Sequence, residues 1–218
     1  MANRKIKIVI FDLDGTLVDA YAAVTHSINY ALKTLELPLI SEAKVRRKVG
    51  WGEEHFVRSI VKPEDFSRTL ALYRQHHRET LGTHVRFLPG AKEMVENLHR
   101  GQYKLAVASN RPTRFSKVIL KALEIDQYFH YILCGDRVKK PKPSGEMLKT
   151  ILQRFAFKPG EAVFVGDMTV DALCGKRARV KTVIVKTGSS TVKEIQQMEP
   201  FRIIGHIGKL RTILEELS

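Results

Sequence analysis

Five short, strongly apolar segments recur along the chain, and each is followed by a turn or by a helical pattern. Uninterrupted apolar runs of this kind are typical of parallel strands, because helices cover both faces of their sheet. Apolar residues recur at helical spacing between the second and third segments, and again between the third and fourth. This alternation predicts a doubly wound α/β sheet. The five segments are residues 6–11, 104–109, 131–135, 162–166 and 182–186.

The connection between the first two segments is too long to be a loop. Residues 19–86 contain two apolar stripes at helical spacing and no convincing strand. We therefore predict a small helical domain over 19–86, inserted into an α/β domain that comprises 1–18 and 87–218. The chain returns to the α/β domain through the turn signal FLPG at 87–90.

Composition and charge narrow the class of protein only partly. No apolar run approaches the roughly 20 residues that cross a bilayer. Asp12 and Asp14 interrupt the apolar stretch near the N-terminus, so we expect a cytoplasmic protein and no signal peptide. Cys134 and Cys174 have no clustered partners, which argues against a zinc site or a disulfide framework.

The formal net charge of +14 attracts anions such as phosphorylated metabolites, nucleotides or nucleic acid. No long basic run or aromatic-interleaved basic patch appears in the sequence. Lysine and arginine scattered over the surface are therefore the favoured interpretation, and nucleic acid is the less favoured partner.

The first apolar segment ends in DLDGT, residues 12–16. Side chains alternate along a strand, so Asp12 and Asp14 emerge on the same side of the chain at the carboxyl end of this strand. Open α/β sheets place their ligand sites at that edge. Gly15 and Thr16 allow a tight turn whose backbone N–H groups can hold a phosphoryl oxygen. An acidic turn is common at strand ends, so further signals are needed.

Three further groups of polar residues follow where the same architecture places loops at the same edge. Ser109 and Asn110 end the second segment with a hydroxyl and an amide that can bind phosphate. The sequence KKPKP at 139–143 supplies three lysines in a stiff proline frame, and chemistry alone does not choose among them. The fourth segment ends in Asp167, with Asp171 four residues further on. Four strand ends thus converge on one predicted site.

DLDGT, Ser109, a lysine of KKPKP and GDMTVD (166–171) resemble, in order and spacing, the four motifs of the haloacid dehalogenase superfamily. The resemblance covers nearly the whole chain and implies a Rossmann-like core. The predicted helical insertion resembles the cap of the phosphoglycolate-phosphatase-like branch. The resemblance therefore implies a magnesium-dependent phosphatase that hydrolyses a small phosphorylated metabolite, with phosphoglycolate as the default substrate.

The same resemblance implies a role for each catalytic residue. Asp12 attacks phosphorus and forms an aspartyl phosphate, which divides one difficult step into two. Asp14 protonates the leaving alkoxide and then deprotonates the hydrolytic water. The KPxP spacing of the family selects Lys140 as the cation that bridges Asp12 and the phosphate, and Ser109 donates to another phosphoryl oxygen.

Magnesium is implied at Asp12, at the backbone carbonyl of Asp14 and at Asp167, because a hard cation prefers oxygen ligands. Asp171 lies one helical turn beyond Asp167, where it could orient metal-bound water or the lysine. Capping of the following helix is the alternative role for Asp171.

Several alternatives stay open. Asp14 argues against a dehalogenase, because dehalogenases of this superfamily lack a carboxylate at that position. A mutase of the β-phosphoglucomutase type, a pyrophosphatase, a phosphatase of nucleotides or nucleic-acid ends, and a catalytically silent binding module are the other candidates.

In the predicted cap, Arg46, Arg47 and Lys48 could contact an anionic leaving group, and Trp51 could be a core anchor. The sequence does not predict the oligomeric state.

Overall fold

The computed structural model describes residues 5–217, which form eight strands. The strands are β1 (Ile8–Phe11), β2 (Val18–Asp19), β3 (Arg86–Phe87), β4 (Lys104–Ser109), β5 (Tyr131–Cys134), β6 (Ala162–Gly166), β7 (Lys181–Val185) and β8 (Arg202–Ile204). Six of them form a parallel sheet in the order β5-β4-β1-β6-β7-β8, while β2 and β3 pair as an antiparallel ribbon. Residues 1–4 and 218 of the predicted α/β domain lie outside the described range.

Helices cover both faces of the sheet. The α-helices of the described chain are α1 (Tyr21–Thr34), α2 (Glu42–Lys48), α3 (Glu53–Arg58), α4 (Phe66–His84), α5 (Ala91–Arg100), α6 (Thr113–Ala122), α7 (Glu146–Phe155), α8 (Thr169–Ala178), α9 (Val192–Gln197) and α10 (Leu210–Glu216). Val9 and Phe11 of β1 share a core with α5, α6 and α10, whereas Ile8 and Ile10 share one with α7 and α8. Side chains alternate along β1, so this strand is apolar at every position because both of its faces are buried. The predicted doubly wound α/β sheet is confirmed.

Helices α1 to α4 all lie between β2 and β3, in the segment that the sequence predicts to be inserted. They enclose an apolar core of their own, which includes Ile28, Leu32, Val45 and Phe56. We call these four helices and their connecting loops the cap. Its behaviour as a separate domain with boundaries at 19 and 86 stays a prediction.

The ribbon of β2 and β3 and the edge strand β8 are strands that the sequence pattern did not predict. β2 and β3 have two residues each and β8 has three. Segments this short show neither an alternation nor an apolar run, so their pairing depends on tertiary contacts.

Two further features bear on the class of protein. Cys134 and Cys174 are both buried and unpaired, in agreement with the predicted absence of a disulfide framework. Among residues 5–217, no helix combines the length and the apolar character needed to cross a membrane.

Candidate active site

The carboxyl ends of β1, β4 and β6 bring together the polar side chains that the sequence places there. Asp12 follows β1, Ser109 ends β4 and Asp167 follows β6, and all three are buried. Asp14 lies in the turn after β1 and lines the same cavity as Asp12 and Ser109. Oγ1 of Thr16 donates to Oδ1 of Asp167 over 3.2 Å and so links the loops that follow β1 and β6. These groups form one site at the edge of the sheet where ligands of α/β proteins bind.

Lys142, and not Lys140, is the lysine of this site. Nζ of Lys142 lies 2.8 Å from Oδ1 of Asp12 and 2.8 Å from Oδ1 of Asp171, and the residue is only 3% exposed. Lys140 is exposed, and its backbone N–H donates to the carboxylate of Glu146 on α7. The choice of Lys140 from the family spacing is therefore wrong, because the loop after β5 directs its last lysine toward the sheet edge.

Asn110 holds this loop in place through its side-chain amide. Oδ1 accepts from the backbone N–H of Lys142 over 2.9 Å. Nδ2 donates to the carbonyl of Lys142 over 2.9 Å and to that of Gly50 over 3.0 Å. Both N–H groups and the oxygen of the amide are thereby engaged. The structure corrects the predicted phosphate contact of this side chain, because Asn110 instead positions Lys142.

The sequence predicts that backbone N–H groups in the turn after β1 are free to hold a phosphoryl oxygen, but two of them donate within the turn itself. The N–H of Gly15 donates to the carbonyl of Val18 over 2.8 Å, and that of Thr16 donates to the carbonyl of Leu13 over 3.3 Å. Thr16 therefore contacts Asp167 and its own turn, and its predicted phosphate contact is corrected as well.

Ser109 keeps a donor available for a phosphoryl oxygen. Its hydroxyl oxygen accepts from the backbone N–H of Arg111 over 3.3 Å. Within the described chain, no group accepts its hydroxyl proton, and the side chain lines the cavity beside Asp12. A hydroxyl in this position can donate to an anionic oxygen without giving up another hydrogen bond.

Burial and repulsion between carboxylates perturb the site. Asp12, Asp167 and Asp171 each bring a carboxylate oxygen to within 4.8 Å of the others. Burial, opposed in part by Lys142, raises the pKa of Asp12 to about 6. Burial and the nearby carboxylates of Asp171 and Asp12 raise the pKa of Asp167 well above its ordinary value. Three carboxylates against one ammonium leave the cluster short of positive charge.

Lys142 stays charged in this environment. Burial alone would lower the pKa of its ammonium, but Asp12 and Asp171 outweigh burial and raise that pKa above its ordinary range. A buried ammonium with two carboxylate partners is a fixed positive charge, because any movement of the side chain would leave both buried carboxylates without a cation.

Asp171 has both of the roles that the sequence left as alternatives. Its Oδ1 accepts from Nζ of Lys142 over 2.8 Å, so it orients the lysine. Its Oδ2 accepts from the backbone N–H groups of Asp167 over 3.1 Å and Met168 over 3.0 Å, so it also caps the start of α8. Both oxygens of Asp171 are thus engaged, which leaves Asp12 and Asp167 as the better candidates for metal ligands.

Asp167 carries the oxygen best suited to a metal ion. Its Oδ2 is buried and has no hydrogen-bond partner within residues 5–217. A Cβ atom on Gly15 or on Gly188 would lie 2.1 Å from this oxygen, so the two glycines provide the space around it. A divalent cation here would satisfy the oxygen and offset the charge of Asp12 and Asp167. The residues present therefore fit a divalent metal ion.

A buried arginine that sequence reasoning missed holds Asp14. Nε and Nη2 of Arg111 donate to Oδ2 and Oδ1 of Asp14 over 2.7 and 2.8 Å, which is a bidentate ion pair. Nη1 of Arg111 lies 2.8 Å from Nε2 of His77 on α4. Arg111 directly follows Ser109 and Asn110, which the sequence assigns to the site. Its position at the same strand end was the signal that could have identified it as a site residue.

His77 connects this ion pair to the cap in its neutral form. A guanidinium only donates, so Nε2 of His77 accepts and Nδ1 carries the proton. Nδ1 lies 2.9 Å from Oγ of Ser27 on α1, and that hydroxyl donates to the carbonyl of Ala23. Burial, and then the charge of Arg111, lower the pKa of His77 to about 2. A continuous chain of hydrogen bonds therefore joins the carboxylate of Asp14 to two helices of the cap.

The buried, neutral His77 predicts a loss of stability in acid. Because the pKa of His77 is lower in the folded protein than its ordinary value of 6.5, the unfolded state binds more protons as the pH falls below 6.5. Between pH 7.5 and 5.5 this effect should remove about 1 kcal/mol from the free energy of unfolding. Urea denaturation of wild type and His77→Gln at both pH values measures it. The variant should lose less stability than wild type, and an equal loss would contradict a buried neutral histidine.

A cavity lies between the sheet edge and the cap. It has a volume of about 690 Å³ including its mouth, and Asp12 and Asp14 lie on its wall. The basic residues 46–48 are not among the described residues that line the cavity, and Arg46 instead pairs with two carboxylates outside it. Trp51 is 43% exposed and is therefore not a core anchor.

The family model described as haloacid dehalogenase-like hydrolase matches residues 9–185. The chain therefore belongs to the haloacid dehalogenase-like hydrolase family. The predicted class of enzyme, a phosphoric monoester hydrolase of this family, is confirmed.

Within the family, the chain resembles phosphoglycolate phosphatases over most of its length. It is 28% identical to phosphoglycolate phosphatase 1 of Pseudomonas aeruginosa, with 96% of this chain and 80% of the relative covered. It is 30% identical to the phosphoglycolate phosphatase of Aquifex aeolicus, with 84% and 86% covered. The crystal structure of a predicted phosphoglycolate phosphatase from Haemophilus somnus matches with a TM-score of 0.91 at 29% identity, covering 97% of this chain and 99% of that one. The predicted phosphoglycolate-phosphatase-like branch is confirmed.

Proposed function

We propose that this enzyme is a magnesium-dependent phosphatase that hydrolyses a small phosphate monoester through an aspartyl-phosphate intermediate. One observation carries the proposal: two carboxylates line one cavity but are held by different cations. Lys142 contacts Asp12, and Arg111 binds both oxygens of Asp14. One carboxylate can therefore act as nucleophile while the other transfers protons, as covalent phosphoryl transfer requires.

In the first step, a carboxylate oxygen of Asp12 attacks phosphorus, and the bond between phosphorus and the ester oxygen breaks. Asp14 enters this step in its protonated form and gives that proton to the departing oxygen, so an alcohol leaves. Lys142, 2.8 Å from Asp12, offsets the repulsion between the anionic nucleophile and the anionic phosphoryl group. Ser109 donates its free hydroxyl proton to a phosphoryl oxygen.

In the second step, water attacks the phosphorus of the aspartyl phosphate. Asp14 takes the proton from the water, and the bond between phosphorus and Asp12 breaks, which releases phosphate and regenerates the carboxylate. Arg111 contacts both oxygens of Asp14, so proton transfer at one oxygen leaves the other bound to the guanidinium. Arg111 thus keeps Asp14 in one orientation for both proton transfers.

Asp12, Asp167 and the backbone carbonyl of Asp14 would hold Mg²⁺ in this site. When bound, the ion supplies positive charge against the oxygens of the transferring phosphoryl group. The unpartnered Oδ2 of Asp167 and the shortage of positive charge around Asp12 support this assignment.

The cavity and the relatives support a small metabolite as substrate. The cavity holds the carboxylates of Asp12 and Asp14 on its wall, and the relatives named above are phosphoglycolate phosphatases. The mutase and pyrophosphatase alternatives, the less favoured nucleic-acid partner and the cytoplasmic location stay predictions.

Phosphate release from a panel of monoesters, with Mg²⁺ and after chelation, tests the proposal. We expect turnover to stop on chelation and to return when Mg²⁺ is added. Calorimetric Mg²⁺ binding should weaken in Asp167→Asn by more than the roughly 10–100-fold seen when a group behind a metal ligand is lost. Full turnover in metal-free buffer would contradict the metal role. Interconversion of sugar phosphates without phosphate release would support the mutase instead.

A further inference from the structure

The cavity wall changes character away from the phosphoryl end. Beyond Asp12, Asp14 and Ser109, most of the lining is apolar, with contributions from both the cap and the sheet edge. Glu53 and Arg111 are the charged residues of this region within the described lining. The apolar lining includes Val24, Val49, Phe56, Phe115 and Met168.

Glu53, the first residue of α3, presents one oxygen without a partner. Its Oε1 accepts from Nη2 of Arg114 over 2.8 Å and lies 2.5 Å from Nη2 of Arg74. The side chain is only 9% exposed, and its Oε2 is buried. Within residues 5–217 this oxygen has no hydrogen-bond partner. A buried acceptor with no donor is costly and rare in folded proteins. Because Glu53 lines the cavity, a bound molecule can supply the missing donor.

The charges around Glu53 favour a neutral donor. Arg74 on α4 and Arg114 on α6 both bind its other oxygen, so two guanidinium groups already offset the carboxylate. An ammonium group on the substrate would gain little from this compensated charge and would face both arginines. A hydroxyl group needs only an acceptor, and Oε2 provides one.

The same surroundings disfavour a carboxylate on the leaving group. Arg111 is the cationic side chain among the described lining residues, and each of its three nitrogens already has a partner in Asp14 or His77. A substrate carboxylate could bind Arg111 only by competing with Asp14 for the guanidinium. It would also face the unpartnered oxygen of Glu53, to which it can donate nothing.

We propose that Glu53 sets the substrate preference of this enzyme, by accepting a hydrogen bond at Oε2 from a hydroxyl group on the leaving alcohol. The substrate class is then the phosphate monoesters of polyols and sugars, in place of phosphoglycolate. This inference rests on the phosphatase function proposed above and adds the identity of the leaving group to it.

Values of kcat/KM for esters with different leaving groups test the inference. The probes are glycerol 3-phosphate and glucose 6-phosphate for hydroxyl groups, phosphoethanolamine for an ammonium group and phosphoglycolate for a carboxylate. Wild type should prefer a hydroxylated ester. Glu53→Gln replaces the acceptor with an amide that can donate, so its preference for hydroxylated esters over phosphoglycolate should fall by about 10–100-fold. Most of the change should appear in KM, because the contact lies away from the reacting atoms.

Glu54→Gln is the matched control. Glu54 is the neighbouring residue, contacts Arg74 at 3.4 Å and is 60% exposed, so the variant loses the same charge beside the same arginine without touching the cavity. Its preference among the esters should equal that of wild type. Glu53→Asp, which withdraws the carboxylate by one methylene, should shift the preference in the same direction as Glu53→Gln.

The outcomes separate this inference from the function on which it rests. Faster hydrolysis of phosphoglycolate or phosphoethanolamine by wild type, or an unchanged preference in both Glu53 variants, overturns the inference and leaves the phosphatase intact. An equal shift in Glu54→Gln also overturns it, since the effect would then come from Arg74. Failure of wild type to release phosphate from any ester overturns the phosphatase itself, and the inference with it.

Discussion

Replacing Lys142 with methionine is expected to lower kcat for phosphate release by about 10²–10³-fold, which is the usual effect of removing one preorganised hydrogen-bond donor from an active site. The reason is the loss of the ammonium 2.8 Å from Asp12, which leaves nucleophile and phosphoryl group to repel each other. Lys140→Met is the matched control in the same loop, because Lys140 is exposed and outside the site. Its kcat should equal that of wild type within experimental error, because the side chain lies outside the site. Steady-state kinetics of the two purified variants provides the comparison.

The stability of Lys142→Met must be followed with its activity. Removal of one partner leaves the carboxylates of Asp12 and Asp171 buried without their cation, which costs roughly 3–5 kcal/mol in comparable buried pairs. Rates should therefore be compared at a temperature where both variants are folded, as judged by circular dichroism. Normal turnover by folded Lys142→Met, together with a loss of turnover in Lys140→Met, would show that Lys140 is the catalytic lysine after all.

The lysine could not be chosen from the sequence because tertiary contacts determine its position. KKPKP offers three equivalent ammonium groups, and the spacing within the motif does not say which one turns inward. The side chain of Asn110, at the end of another strand, decides this through two hydrogen bonds to the backbone of Lys142. A contact between residues 32 positions apart leaves no local signal.

The sheet and its strand-end carboxylates were predictable because the pattern that predicts them is local. Each central strand is an uninterrupted apolar run, and parallel strands bring their carboxyl ends to one edge, so Asp12 and Asp167 had to lie near each other. Arg111 and Glu53 lacked such a signal. Each looks like an ordinary exposed charge in the sequence. Their partners are distant in the sequence: Asp14 and His77 for Arg111, and Arg74 and Arg114 for Glu53.

Replacing Asp12 with asparagine is expected to have the largest effect, a fall in kcat of about 10⁶-fold, as when other enzymes lose a covalent nucleophile. The amide cannot form the acyl phosphate, so acid-quenched reactions with ³²P-labelled ester should show protein-bound phosphate in wild type and none in the variant. Asp14→Asn should retain the nucleophile and turn over slowly. Protein-bound label in Asp12→Asn, or rates equal to those of wild type, would contradict the proposed intermediate.

The same variant should separate activity from stability, because Asp12 is costly to bury. Burial raises the pKa of Asp12 to about 6, so near pH 7 its ionised form is held against desolvation and against the repulsion of Asp171. Asparagine removes that repulsion, while Lys142 keeps its ion pair with Asp171. In metal-free buffer at pH 7, Asp12→Asn should therefore melt at the same temperature as wild type or higher. A lower melting temperature would mean that the contact of Asp12 with Lys142 outweighs the cost of burying the carboxylate, and that the site is arranged for stability as well as for chemistry.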